Sequence, residues 1–267
     1  MKRFAILYDF DYTLSNGFMQ QFGLMQEFGY NDIFDFYKDV ASYYGAEDMD
    51  NCLSLLFGIM DKAKKLGKKV TYDYMKSFGK NVKFFPGVKE WFKKINKVGK
   101  ENGFEIEHYV ISSGNKEIIE GTPIAKYLKR VYATFYAYNK KGEAYWPCQT
   151  VNYSTKLQYV YRIRKNVLDD LASAEEVNRK RSVDEVLPFG HMVYLGDSQT
   201  DIPSFTVIKR NGGESICVYN EESEKSKKIA KQCFDEGRVN HYTPADYREG
   251  SELFKIISNM LKEKSNN

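Results

Sequence analysis

Three places along the chain put chemically capable side chains just beyond a short apolar run. Phe4-Ala-Ile-Leu-Tyr8 gives way to Asp9-Phe-Asp11-Tyr-Thr13-Leu, and His191-Met-Val-Tyr-Leu195 gives way to Gly196-Asp197-Ser-Gln-Thr-Asp201. The third run, His108-Tyr-Val-Ile111, ends in Ser112-Ser113-Gly114-Asn. Carboxylates gathered at one edge repel one another unless a cation sits among them, and Mg2+, which prefers carboxylate oxygens, suits such a set best. Asp197 and Asp201 are four residues apart, so a helix beginning there puts both acids on one face. A small hydroxyl at a strand tip, followed by exposed backbone N–H groups, is suited to an anion. Lys156, ahead of the helical pattern Leu157 to Leu168, supplies a positive charge. Each feature has a plainer reading: Asp also favours turns after strands, Ser112 can be a helix cap, and Lys156 can be a solvated surface lysine.

The elements that must position these residues follow from the hydrophobic pattern. Five short runs rich in β-branched and aromatic residues (those three, Val131-Tyr-Ala133 and Ser215-Ile-Cys-Val-Tyr219) read as buried parallel strands. Helical spacing over Pro86 to Lys100 and over Lys116 to Leu128 separates strands, so the fold class is α/β, a doubly wound parallel sheet. Acids at strand exits then lie where open α/β sheets bind ligands.

About a hundred residues separate the first run from the second, far more than a crossover needs. The excess reads as an inserted α-helical unit over 17–81, leaving 1–16 and 82–267 as the core. Within it, Phe18 to Phe28, Ile33 to Tyr44, Met49 to Leu66 and Tyr72 to Phe78 carry apolar residues at helical steps, with turns near Gly29-Tyr30-Asn31, Gly45-Ala46-Glu47 and Gly67. Its aromatic residues, such as Phe18, Phe22 and Tyr43, can line a pocket or fill a core. Thr134 to Val151 reads as a surface hairpin around Asn139-Lys-Lys-Gly142.

Composition narrows the classes. The 267 residues are 42% hydrophobic and 28% charged, which excludes a disordered or collagenous chain. A net charge of +4 does not announce a nucleic-acid binder, and the basic clusters at Lys62 to Lys69, Asn178 to Arg181 and Lys225 to Lys228 read as solvated faces. No stretch approaches the roughly 18 apolar residues of a membrane span, and Asp9 stops the first run before it could serve as a signal peptide. Cys52, Cys148, Cys217 and Cys233 are dispersed and read as buried free thiols, with the cytoplasm as the expected compartment. His108 and His191 stand at expected strand entrances, away from the chemistry, and His241 is isolated.

The order DxDxT, a strand ending in Ser, a Lys, then GDSxxD resembles the haloacid dehalogenase (HAD) superfamily from Lys2 to about Tyr219. A helical insertion directly after the first motif, with Phe85-Pro-Gly-Val88 marking the return to the core, looks most like the phosphoserine-phosphatase-like branch with its C1 cap. The resemblance implies phosphoryl transfer with Mg2+. Asp9 is then the nucleophile and a metal ligand. Asp11 protonates the leaving alkoxide, later activates water, and binds the metal through its backbone carbonyl. Asp197 completes the direct metal ligands, and Asp201 orients Asp197 or a water on the metal. Ser112 and Lys156 hold the phosphoryl oxygens, helped by the backbone at Ser113 and Gly114. Tyr12 departs from the small residue common at that position. The expected activity is hydrolysis of a small phosphorylated metabolite, with no nucleic-acid or membrane partner. A phosphomutase or phosphotransferase using the same site, and a non-catalytic binding module on the same fold, are the alternatives.

Overall fold

Burial on both sides of the first strand decides the architecture. In the computed structural model, which describes residues 1–44, 48–169 and 171–265, β1 (Lys2–Tyr8) sends Phe4, Ile6 and Tyr8 to one side and Ala5 and Leu7 to the other. All five are fully buried, so both faces of the sheet are covered, as a parallel sheet requires. The remaining strands are β2 (Phe104–Asn115), β3 (Arg130–Tyr138), β4 (Ala144–Gln149), β5 (Met192–Gly196), β6 (Glu214–Tyr219) and β7 (His241–Pro244). They form a seven-stranded sheet in the order β4-β3-β2-β1-β5-β6-β7, parallel except for β4.

The face carrying Phe4, Ile6 and Tyr8 packs against the helices Val88–Glu101 and Glu252–Ser265, and its apolar cluster runs on without a break into the helices between β1 and β2. The opposite face carries the helices Lys156–Arg164, Ile202–Arg210 and Glu224–Asp235. The strand order reverses between β1 and β5, the place where a doubly wound sheet opens a crevice at its carboxyl edge.

Several local expectations are corrected. The helix expected over Phe18 to Phe28 is two short pieces, Met19–Gln21 and Leu24–Glu27, because Gly23 adopts φ 120° between them. The helix expected over Lys116 to Leu128 stops at Glu120, where Gly121-Thr-Pro123 takes over and Thr122 precedes a proline, leaving a single 3-10 turn at Ala125–Tyr127. The helix expected to reach Leu168 ends at Arg164, with Asn166 at φ 55°. The hairpin is not a separate appendage: its first arm is the continuation of β3. Cys148 is exposed on the edge strand β4, while the other three cysteines are buried. The expected turn at Gly45-Ala46-Glu47 and the side chain of Tyr43 lie outside the described residues.

The helices between β1 and β2 are stitched to the rest of the chain. Ala144 N–H donates to Val70 C=O at 2.8 Å, Tyr136 Oη donates to Leu56 C=O at 2.8 Å, and Lys69 pairs with Glu143. Gly79 and Gly121 allow the closest approaches, since a Cβ at Gly79 meets Ile118 C=O at 2.3 Å and one at Gly121 meets Lys76 C=O at 1.9 Å.

His108 sits in the middle of β2, not at a strand entrance, because the strand begins at Phe104. It is buried in a polar chain: Trp91 Nε1 donates to Tyr8 Oη at 2.7 Å, Tyr8 Oη lies 3.0 Å from His108 Nδ1, and His108 Nε2 lies 2.8 Å from Asn96 Oδ1. The chain is satisfied when His108 is neutral with its proton on Nε2. Burial pushes its pKa down to about 3. The unfolded chain therefore takes up a proton below about pH 6.5 that the folded chain refuses, so this contribution is intact above that pH and falls as pH drops toward 3. Between pH 7.5 and 4.5 the wild type is expected to lose about 2 to 3 kcal/mol more stability than His108→Gln. Urea titrations at the two pH values read the difference, and equal losses in both proteins contradict it.

Candidate active site

Parity places the first acid. Asp9 continues the Ala5, Leu7 side of β1, and its N–H donates to Leu195 C=O at 2.8 Å, tying the tips of β1 and β5 together at the reversal point. The same side of the sheet carries Lys156, at the first turn of its helix, and Tyr194. Lys156 is 1% exposed, and its Nζ lies 2.9 Å from Asp9 Oδ1 and 2.7 Å from Asp201 Oδ1. It is not the solvated surface lysine of the plainer reading. Burial opposes its charge, but Asp201 and Asp9 outweigh that and hold its pKa well above the ordinary lysine value.

Asp201 is completely buried and fully engaged. Its Oδ1 also accepts from Tyr194 Oη at 2.9 Å, and its Oδ2 accepts from Asp197 N–H at 3.3 Å. Gly196 makes this possible, because a Cβ there meets Asp201 Oδ2 at 2.5 Å. One carboxylate oxygen from each of Asp9, Asp197 and Asp201 lies within 4.8 Å of the others. Burial, then Asp9 and Asp201, push Asp197 well above the usual carboxylate range, and burial pushes Asp9 up to about 6 against the pull of Lys156. Three crowded hard oxygen donors that resist ionising together fit a divalent hard cation such as Mg2+.

Asp11 stands beside this group. Its Oδ1 accepts from Met19 N–H at 2.8 Å, which fixes the chain as it leaves the first motif. Burial and the neighbouring Asp9 push its pKa up to about 8. Tyr12 between them adopts φ 54°, a left-handed turn seldom seen outside glycine, and its ring packs edge-to-face on Phe18 at 4.9 Å. The ring builds an aromatic wall with Phe18, and burial together with the nearby Asp11 and Asp197 carboxylates raises its phenol pKa.

At the tip of β2 the register shifts between Ser112 and Asn115, re-aiming the side chains there. Ser112 is buried, and its Oγ accepts from Gly114 N–H at 3.1 Å. Gly114 lies against the first motif, where a Cβ meets Met19 Cε at 2.1 Å and Asp11 Oδ2 at 3.3 Å. Asp11, Ser113 and Gly114 form one end of a cavity of about 340 Å3 that runs between the sheet edge and the inserted helices. The helix Asn51–Lys65 lines it through its first turn, which is capped by Asp50: Oδ1 accepts from Cys52 and Leu53 N–H at 2.9 and 3.2 Å. Asp50 Oδ2 accepts from Asn152 Nδ2 at 3.1 Å, linking that helix to the loop that presents Lys156.

All eight residues singled out in the sequence therefore gather at the carboxyl edge of the sheet. Of the aromatic residues left open between pocket and core, Phe18 lines the cavity and Phe22 packs against the core cluster. Sequence reasoning missed Tyr194, Met19 and Gln20. Tyr194 had one available signal, a phenol in an otherwise aliphatic strand on the parity of Asp9; the other two act through tertiary placement.

The fold is like that of solved phosphoserine phosphatases and of a solved HAD family hydrolase. An apo phosphoserine phosphatase structure shares 16% identity, with 96% of this chain and 98% of that chain covered and a TM-score of 0.56. A substrate-bound phosphoserine phosphatase complex shares 17% identity over 97% and 99% of the two chains, with a TM-score of 0.56. A curated relative from Borreliella burgdorferi, described only as an uncharacterized protein, is 26% identical over 95% of this chain and 94% of its own. No protein-family model matches the chain.

Proposed function

We propose that the chain is a Mg2+-dependent phosphatase that hydrolyses a small phosphorylated metabolite through an aspartyl-phosphate on Asp9. The observation that carries this reading is the buried Lys156 ammonium set against Asp9, with Asp11 alongside and opening to a cavity. An Asp9 carboxylate oxygen attacks phosphorus, and the bond from phosphorus to the substrate oxygen breaks. Asp11, whose pKa near 8 keeps it protonated at neutral pH, passes its proton to the departing oxygen. Asp11, now a carboxylate, takes a proton from water as that water attacks phosphorus. The acyl phosphate bond breaks, phosphate leaves, and Asp9 is restored.

Lys156 offsets the repulsion between the Asp9 carboxylate and the phosphate and stabilises charge in the transition state. Asp9, Asp197 and the backbone carbonyl of Asp11 would hold Mg2+, with Asp201 steadying them from behind through Lys156, Tyr194 and the Asp197 N–H. Bound there, Mg2+ supplies a further positive charge on the phosphoryl oxygens. Ser112, Ser113 and Gly114 would receive those oxygens, the Ser112–Gly114 hydrogen bond presetting the loop. The inserted helices over 17–81 act as a cap that limits water and selects the leaving group. The partner is a small phosphorylated molecule, not nucleic acid or membrane; no described helix is long and apolar enough to cross a membrane. The cytoplasm is the compartment we assign.

The test is hydrolysis of p-nitrophenyl phosphate. Turnover is expected with Mg2+, to fall at least about 100-fold on chelation with EDTA, and to return when Mg2+ is restored. Turnover indifferent to chelation, or none across a broad panel of phosphate esters, contradicts the proposal.

A further inference from the structure

We infer that the leaving group admitted to this site is uncharged and largely apolar, an aryl or alkyl alcohol, and not an amino acid or other carboxylate-bearing alcohol; this rests on the phosphatase reading above. Away from its catalytic end, the cavity wall is built by Phe18, Tyr37, Val40, Cys52 and Leu55, with the uncharged Gln20, Asn51 and Ser54 as its other polar members. The polar groups within that wall are already committed or neutral. Tyr37 Oη donates to Gln20 Oε1 at 2.8 Å, and Gln20 Nε2 donates to Asn115 Oδ1 at 2.9 Å, so phenol and carboxamide satisfy each other. The Cys52 thiol, which burial pushes up to about 11, donates to Val151 C=O at 3.6 Å and stays uncharged at neutral pH.

Phe18 is fixed by edge-to-face contacts with Tyr12, Tyr37 and Phe34 at 4.9, 5.2 and 6.4 Å, which gives a stiff aromatic surface suited to a flat or aliphatic group. Among the described residues lining the cavity there is no lysine or arginine, and residues 41–47 contain neither. A substrate carboxylate would be stripped of water here without a cationic partner, which disfavours its binding. Among the described lining residues, the one acid is Asp11, at the catalytic end of the cavity. The names of the structurally similar phosphoserine phosphatases thus do not carry over to what this cavity accepts.

Two measurements on the wild-type protein test this. In the first, methyl-labelled protein is titrated with benzyl alcohol, L-serine and choline while the Val40 and Leu55 methyl signals are followed by NMR. Benzyl alcohol is expected to shift those signals with half-saturation at least about tenfold below that of serine or choline. In the second, kcat/KM for benzyl phosphate with Mg2+ is expected to exceed that for O-phosphoserine and phosphocholine by at least about tenfold. Serine or choline binding as tightly as benzyl alcohol, unmoved Val40 and Leu55 signals, or a reversed order of turnover overturns the inference. If neither these three phosphates nor any of a broad panel of phosphate esters is hydrolysed while the binding order holds, the phosphatase reading fails and the apolar binding site stands.

Discussion

Asp9→Asn lowers turnover of an aryl phosphate by about 10^4-fold or more, because no other group can form the acyl phosphate and the loss is of the reaction path itself. The same substitution is expected to raise the melting temperature of the metal-free protein. In the folded chain Asp9 titrates near 6, above the ordinary carboxylate value, chiefly because it is buried. Its stabilising contribution is therefore largest when it is protonated and is lost as pH rises through that value, so at pH 7.5 a neutral amide relieves a cost. Kinetics and thermal melts in EDTA thus move in opposite directions. A residue with only a structural role would lose stability and activity together, and a variant keeping more than about a tenth of wild-type turnover would rule out Asp9 as the nucleophile.

Lys156→Met damages both. Asp9 and Asp201 lose the cation they share, and Asp201 is completely buried with Tyr194 and the Asp197 N–H as its remaining partners. Removing one side of a buried ion pair costs about 3 to 5 kcal/mol, or roughly 10 °C in melting temperature for a chain of this size. Turnover measured well below the melting point is expected to fall about 10^3-fold, as charge on the phosphoryl group goes uncompensated. The stability loss is expected to be smaller at pH 5 than at pH 7.5, since carboxylates without their cation take up protons there. A melting temperature unchanged at pH 7.5 would mean that Lys156 is not the group that neutralises this pocket.

How much of this was legible beforehand differs from residue to residue. Asp9 and Asp197 could be found because strand tips are visible in the hydrophobic pattern and a doubly wound sheet brings such tips together. Lys156 was visible as a charge at the head of a helical pattern, but not as a buried one, because burial depends on which face of the sheet that helix covers. Tyr194 shares the parity of Asp9, yet a tyrosine in a buried strand gives no sign that its hydroxyl will reach an aspartate seven residues later. β7 was missed because His241-Tyr-Thr-Pro244 is short and polar, and its strand geometry comes from pairing with β6. The broken helix after Asp11 follows from one hydrogen bond, Met19 N–H to the Asp11 carboxylate, and from the conformation of Gly23; neither leaves a periodicity to read.

The stitching between the inserted helices and the β3–β4 edge has a consequence for how the chain comes apart. The Ala144–Val70 hydrogen bond and the close contacts of Gly79 and Gly121 with Ile118 and Lys76 join the inserted helices to the rest of the chain through backbone atoms, and the buried Tyr136 hydroxyl adds a bond to Leu56 C=O. Swinging the helices outward as a rigid lid would break all of these at once, so such an opening would be a partial unfolding. Amide protons along the outer half of β3 and in the helices from 51 to 77 should then exchange with solvent as one cooperative block, on a slower clock than the loop around Phe18. The division of the sequence into core and insertion is a division of connectivity, and it does not fall where the molecule's stability divides.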